Sequence, residues 1–260
     1  MIRIATTIFL LTVSAAASAG TITYLTQERS VFSYAGPGGY FTYINGVQQP
    51  IRPVDPIEST DFGTFDYTFR TENLGCCFVP YAYGQADQHS SLYSDGLGVE
   101  SVSGASSDDY SQGLGYGLSL FDVTFVLDEA TRFDLTGFSR WYESFDPLGV
   151  VRENSVLLET LGGEEVELDW QLTNEDFGDF YGETYDLDSR IWLDAGSYHL
   201  RVVTEAAMDC GSEELGCMDF GAGVGARADF AMSVVPVPAA VWFFGSVLAG
   251  LGWMRRKQIA

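Results

Sequence analysis

Apolar residues recur at every second position along much of this chain. Phe121, Val123, Phe125 and Leu127 alternate with Asp122, Thr124 and Val126, and after Asp128-Glu129-Ala130-Thr131 the pattern resumes with Phe133 and Leu135 opposed to Arg132 and Asp134. A repeat of two residues gives a strand one dry face and one wet face, and a polar break between two such runs predicts a hairpin. A second hairpin is predicted where Val156-Leu157-Leu158 turns through Gly162-Gly163 into Val166, Leu168 and Trp170. Further on, Tyr198, Leu200 and Val202 face one way while His199 and Arg201 face the other. Ala222, Val224, Ala226, Ala228, Phe230, Met232 and Val234 then mark a long final strand.

No segment between Gly20 and Val234 sustains an apolar period of 3.6, and Gly-rich or Asp/Ser-rich breaks recur along it. The expected fold is therefore all-β: an antiparallel two-sheet β-sandwich, jelly-roll-like, in preference to a closed barrel. The proline-rich stretch from Gly36 to Pro56 and the Ser/Gly/Asp-rich stretch from Ser101 to Gly115 are predicted to be long surface loops.

The two ends obey other rules. From Val237 to Met254 there are 18 uncharged residues; as a helix they span roughly 27 Å, close to the hydrocarbon thickness of a bilayer. Arg255, Arg256 and Lys257 follow at once, and such a basic stop stays in the cytoplasm, which puts everything before the helix outside it. At the other end, Arg3 precedes an apolar run from Ile4 to Val13, and Ala17-Ser18-Ala19 before Gly20 is a small-x-small cleavage site. This predicts a signal peptide over 1–19, read by the Sec translocon and removed by signal peptidase. The organisation expected is thus signal peptide 1–19, exported domain 20–234, and a C-terminal signal with one transmembrane helix over 235–260.

Val235-Pro236-Val237-Pro238-Ala239, the aromatic and small-residue helix behind it and the terminal basic cluster together resemble the PEP-CTERM sorting signal of Gram-negative bacteria. The likeness is nearest to the variant reading Val-Pro-Leu-Pro-Ala, and Val237 stands where the commonest form has Glu. The resemblance covers about a tenth of the chain. It implies a substrate of an exosortase, a membrane enzyme thought to cleave near the proline motif. It also implies a body held briefly at the inner membrane, then delivered to the surface or matrix, where such proteins accompany exopolysaccharide and biofilm. The run Leu193-Asp194-Ala195-Gly196-Ser197-Tyr198 looks like a turn and strand common in secreted bacterial β-sandwiches.

The predicted exported domain holds all 36 acidic residues and, once Arg3, Arg255, Arg256 and Lys257 are set aside, 9 of the 13 bases, a formal charge of −27. Such a surface repels nucleic acid and suits solubility outside the cytoplasm. Four cysteines in an exported chain indicate disulfides. A Cys210–Cys217 loop closure is preferred, with Cys76 and Cys77 as a vicinal pair or reduced; crossed pairs tying the two loops together are the alternative.

Chemistry has little to draw on. There are 2 histidines, His89 and His199, and no Gly-x-Ser-x-Gly elbow or phosphate-cradling loop, so no catalytic residue is assigned and the chain is read as not an enzyme. Glu143, Asp146, Glu153 and Asp169 would serve a glycosidase only if two of them converged, and nothing selects a pair. The acidic run Glu175, Asp176, Asp179, Glu183, Asp186 and Asp188 carries the oxygen ligands calcium prefers without the spacing of a calcium loop; no metal site and no cofactor is assigned. Trp141 and Tyr142 form the candidate sugar platform, with Trp170 and Trp192 on other strands, and a carbohydrate-binding or polysaccharide-acting protein is the alternative to a noncatalytic envelope or matrix protein.

Overall fold

Each alternating strand has one face to bury, and in a computed structural model of the protein two antiparallel sheets bury those faces against each other. The structure describes residues 20–36, 40–44, 47–49, 55–73, 82–107, 114–144, 149–173, 180–209 and 222–235. The expected signal peptide over 1–19, the expected sorting motif beyond Val235, Arg255, Arg256 and Lys257, and all four cysteines lie outside the described residues. Among the described residues no helix is long and apolar enough to cross a membrane. Gly20–Val234 forms one compact unit.

The five-stranded sheet contains β1 (Ile22–Gly36), β4 (Ile57–Ser59), β8 (Leu114–Leu127), β10 (Gly149–Thr160) and β13 (Gly196–Asp209), in the order β10-β13-β8-β1-β4. The nine-stranded sheet contains β2 (Tyr40–Ile44), β3 (Val47–Gln49), β5 (Phe65–Asn73), β6 (Ala82–Tyr93), β7 (Gly96–Ser107), β9 (Thr131–Ser144), β11 (Trp170–Thr173), β12 (Phe180–Leu193) and β14 (Ala222–Val234). Its order is β11-β12-β9-β14-β7-β6-β5-β2-β3. Three antiparallel pairings are nested in sequence: β7 with β14, β8 with β13, and β9 with β12.

The alternation read from the sequence appears on the strands as expected. Tyr198, Leu200 and Val202 are buried, as are Val224, Ala226, Ala228, Phe230, Met232 and Val234. Three expectations are corrected. The polar break at 128–130 does not close a hairpin: β8 belongs to the five-stranded sheet and β9 to the nine-stranded one, so the break carries the chain between sheets. The second hairpin forms only in part. Gly163, at φ +81°, turns the chain back in the left-handed region glycine favours. The returning leg pairs at Glu159 and Glu165, and Val166 N–H donates to the Leu158 carbonyl at 2.8 Å, before the chain crosses to become β11.

The third correction concerns the predicted loops. β7 continues to Ser107 and β8 begins at Leu114, while β2 and β3 lie within the stretch from Gly36 to Pro56. Ser101 and Ser103 are buried, because they occupy inward positions where the sheets approach closely. Ser101 Oγ lies 3.0 Å from Thr204 Oγ1, a hydrogen bond between β7 and β13 that joins the two sheets.

The core is graded from end to end. Along the inward face of β8, Phe125, Val123 and Phe121 are fully buried, with Phe125 stacked on Tyr198 at 5.6 Å between ring centroids. The same face continues through Ser119, Gly117 and Gly115, so bulk falls away toward one end of the sandwich. Arg29 is fully buried on β1; its guanidinium donates to the Gly63 carbonyl at 2.7 Å and to Gln27 Oε1, and sits 5.8 Å from the Phe121 ring centroid. Burial lowers its pKa.

Candidate functional site

The outward face of the nine-stranded sheet carries a half-open cleft of about 280 Å3 over β6, β7, β14 and β9. Strand register builds it. Gln85 pairs with Gly104, Gly104 with Gly225, and Gly225 with Tyr142; one row along, Tyr83 pairs with Ser106 and Ser106 with Gly223. Residues paired in this way share a face, so Tyr83 and Gln85 stand on one side, Tyr142 on the other, and Gly104 and Gly223 lie between.

Both tyrosines are positioned by neighbours. The Tyr142 ring lies over Gly225, where an added Cβ would come within 2.5 Å of its Cζ. The Tyr83 ring carries the Arg70 guanidinium at 4.6 Å from its centroid, and its hydroxyl donates to Gln85 Oε1. The Gln85 amide donates in turn to Asp87 Oδ2, which fixes which end of the amide faces each neighbour. Burial holds the Asp87 carboxyl above the usual range, against the lowering effect of that hydrogen bond.

The structure separates Trp141 from Tyr142. Adjacent residues of a strand point to opposite faces, so Tyr142 lines the outer cleft while Trp141 stands on the inner side of β9, half-buried. The pair therefore does not form one platform, and the partner of Tyr142 across the cleft is Tyr83. Trp170 is half-buried, and Trp192, 64% exposed, stands on β12. Reading the sequence alone missed Tyr83, Gly104 and Gly223. Their signal was present in one form: glycines inside strands mark close approach of another group.

Among the described residues Glu143 and Glu153 do not converge. Glu143 accepts from Val151 N–H at 3.0 Å, whereas Glu153 pairs with Arg201 at 2.9 Å on the other sheet. Asp146, Glu175, Asp176 and Asp179 lie outside the described residues. Glu183 falls on the opposite face of β12 from Asp186 and Asp188, since odd and even positions of a strand diverge. Among the described residues no group of three or more His, Cys, Asp or Glu side chains is placed to hold a metal ion.

Both histidines are tied to carboxylates. His89 Nδ1 meets Asp66 at an exposed position. On the outer face of the five-stranded sheet, His199 Nε2 lies 2.8 Å from Asp122 and its Nδ1 lies 3.0 Å from Glu159, so one imidazole bridges β8, β13 and β10. Burial alone would lower its pKa, but the hydrogen bonds to Glu159 and Asp122 outweigh burial and leave it raised. A raised folded-state value means that the clamp stabilises fully below the unfolded value of about 6.5 and is lost as pH rises through the folded one. We expect His199→Gln to lower stability by about 1 kcal/mol at acidic pH and by much less in alkaline buffer. Urea titrations at both pH values check this, and an equal loss at the two would rule the clamp out.

No family model and no curated protein matches the chain. Among solved structures the chain is similar to one from the Gx strain of infectious bursal disease virus, at 12% identity and a TM-score of 0.21, over 85% of this chain and 63% of that one. A structure from the Gt strain of the same virus gives 13% identity and a TM-score of 0.15, over 90% of this chain and 73% of that one. The chain spans less than two thirds of the length of the first. A likeness this distant assigns no function.

Proposed function

We infer that this is a noncatalytic exported protein of the cell envelope or extracellular matrix, sorted by an exosortase through its C-terminal signal and associated with exopolysaccharide. The observation that carries the reading is where the body stops. β14 closes the interior of the larger sheet and ends at Val234, and Val235-Pro236-Val237-Pro238-Ala239 begins on the next residue. Cleavage beside the prolines would remove the membrane helix without taking a strand from the sandwich.

The noncatalytic part of the reading is supported by the positions of the histidines. Both are held by carboxylates on open sheet faces, and neither lines the cleft. Within the body we favour a jelly-roll arrangement. Its support is the nested pairing of β7/β14, β8/β13 and β9/β12, with the short return at Glu159 and Glu165 as an incomplete innermost pair.

Cell fractionation with and without the exosortase tests the sorting. With the enzyme, the body is expected as a shorter species at the surface or in the medium; without it, the full-length chain should remain in the inner membrane. Identical size and location in the two strains would overturn the proposal, and Pro236→Ala with Pro238→Ala is expected to mimic loss of the enzyme.

A further inference from the structure

The geometry points to the cleft between Tyr83 and Tyr142 as a binding site for a single strand of uncharged polysaccharide. The assignment goes beyond the sorting function and does not depend on it.

The first argument is the floor. Among the described residues, a Cβ on Gly104 would meet the Val224 carbonyl oxygen at 3.7 Å, and one on Gly223 would meet the Ala105 carbonyl oxygen and the Ser106 Cβ at 3.8 Å. Both are ordinary contacts. Packing among the described residues therefore does not require glycine at Gly104, although glycine in a strand interior is destabilising by roughly 0.5–1 kcal/mol relative to alanine. Gly104 lines the open cleft and meets no described neighbour closely enough to call for glycine, and a strand glycine of that kind marks a surface where a ligand can approach the backbone. Gly225 differs, since the Tyr142 ring fills the space above it.

The walls and rim select the occupant. Two aromatic faces held by Arg70, Gln85 and Gly225 are in place before any ligand arrives, which limits the entropy lost on binding. Between the backbones of β6 and β9 lie the two inner strands β14 and β7, a span of about 14 Å; with the Tyr142 ring covering one of the three spacings, about 10 Å remains. That is room for one chain of flat rings and not for a globular loop.

Among the residues lining the cleft, Gln85 brings an amide and Ser106 a hydroxyl to the outer face, and both match sugar hydroxyls; the Arg70 charge lies against the far side of Tyr83 and pairs with Glu72. β6, β7, β14 and β9 are each paired on both sides, so their ladders have no edge to offer a peptide backbone. With 36 acidic residues against 13 bases, the chain repels a polyanion.

The test uses the full chain in a polyoxyethylene detergent, whose headgroup carries no sugar. Calorimetric titrations would use cellohexaose, maltohexaose, mannohexaose and chitohexaose, with a galacturonic acid hexamer and decaproline as competitors of other chemistry. We expect binding of at least one neutral oligosaccharide, weakened about tenfold or more by Tyr142→Ala and by Gly104→Leu. The Gly104→Leu protein should unfold at the parent's temperature or slightly above it, which separates a filled cleft from a damaged fold. No heat with any of the four neutral sugars overturns the assignment. So does binding that survives both substitutions, or tighter binding of the acidic hexamer or of decaproline. Failure here leaves the fractionation experiment unaffected.

Discussion

A chain ending at Val234 should unfold as cooperatively as the full-length protein, and a chain ending at Gly221 should not fold at all. The difference is β14. It lies inside the larger sheet with β7 on one side and β9 on the other, so its removal leaves two long ladders without partners. It also strips Val224, Phe230 and Met232 from the core, each buried to within 1% of full enclosure. At about 1.5–3 kcal/mol for each such side chain, the apolar loss alone approaches the entire stability expected of a domain. Phe230→Ala should reproduce a large part of the effect, about 3–5 kcal/mol. Far-ultraviolet circular dichroism with protease digestion reads both truncations. Cooperative unfolding of the chain ending at Gly221 would mean that β14 is not integral to the sandwich.

How much of this was legible beforehand depends on the kind of information involved. Alternation reports which face of a strand is dry, and it placed β13 and β14 correctly because a residue's burial follows from parity alone. Parity does not name a strand's partner. The run from Phe121 to Leu135 has the same dry and wet positions whether the chain folds back beside itself or crosses to the other sheet, and here it crosses. Parity does predict that Trp141 and Tyr142 diverge, so that pair could have been separated without coordinates.

The cleft was not legible. Tyr83 and Gly104 lie on the two legs of the β6–β7 hairpin, but Tyr142 and Gly223 come from strands far along the chain, and only register brings the four together. Ser101 and Ser103 misled for a different reason. Small polar residues are usual in loops, yet here they serve as the thin part of a tapering core.

That taper sets the second large effect, at Gly117. An added Cβ there would lie 1.9 Å from the Gln85 carbonyl oxygen, 2.9 Å from the Gln85 carbonyl carbon and 3.0 Å from the Gly104 carbonyl oxygen. All three are backbone atoms of internal strands, so relief requires moving a ladder and not a side chain. Gly84 and Gly115 show the same approach from either side: a Cβ on Gly84 would meet the Tyr116 carbonyl oxygen at 2.2 Å, and one on Gly115 the Tyr83 carbonyl oxygen at 2.3 Å. The sheets thus touch backbone to backbone at this end and stand apart by the width of Phe121 and Phe125 at the other. We expect Gly117→Ala to destabilise the protein by about 1–3 kcal/mol, and Gly117→Val by more. Gly104→Ala, whose Cβ meets only ordinary contacts, should be neutral or stabilising by about 0.5–1 kcal/mol. Thermal unfolding should separate the two alanine proteins by several degrees, at about 2–4 °C per kcal/mol for a body of this size. If they melt together, the close approach of β6 and β8 is wrong, and with it the reason that serine and glycine replace bulk along β7 and β8.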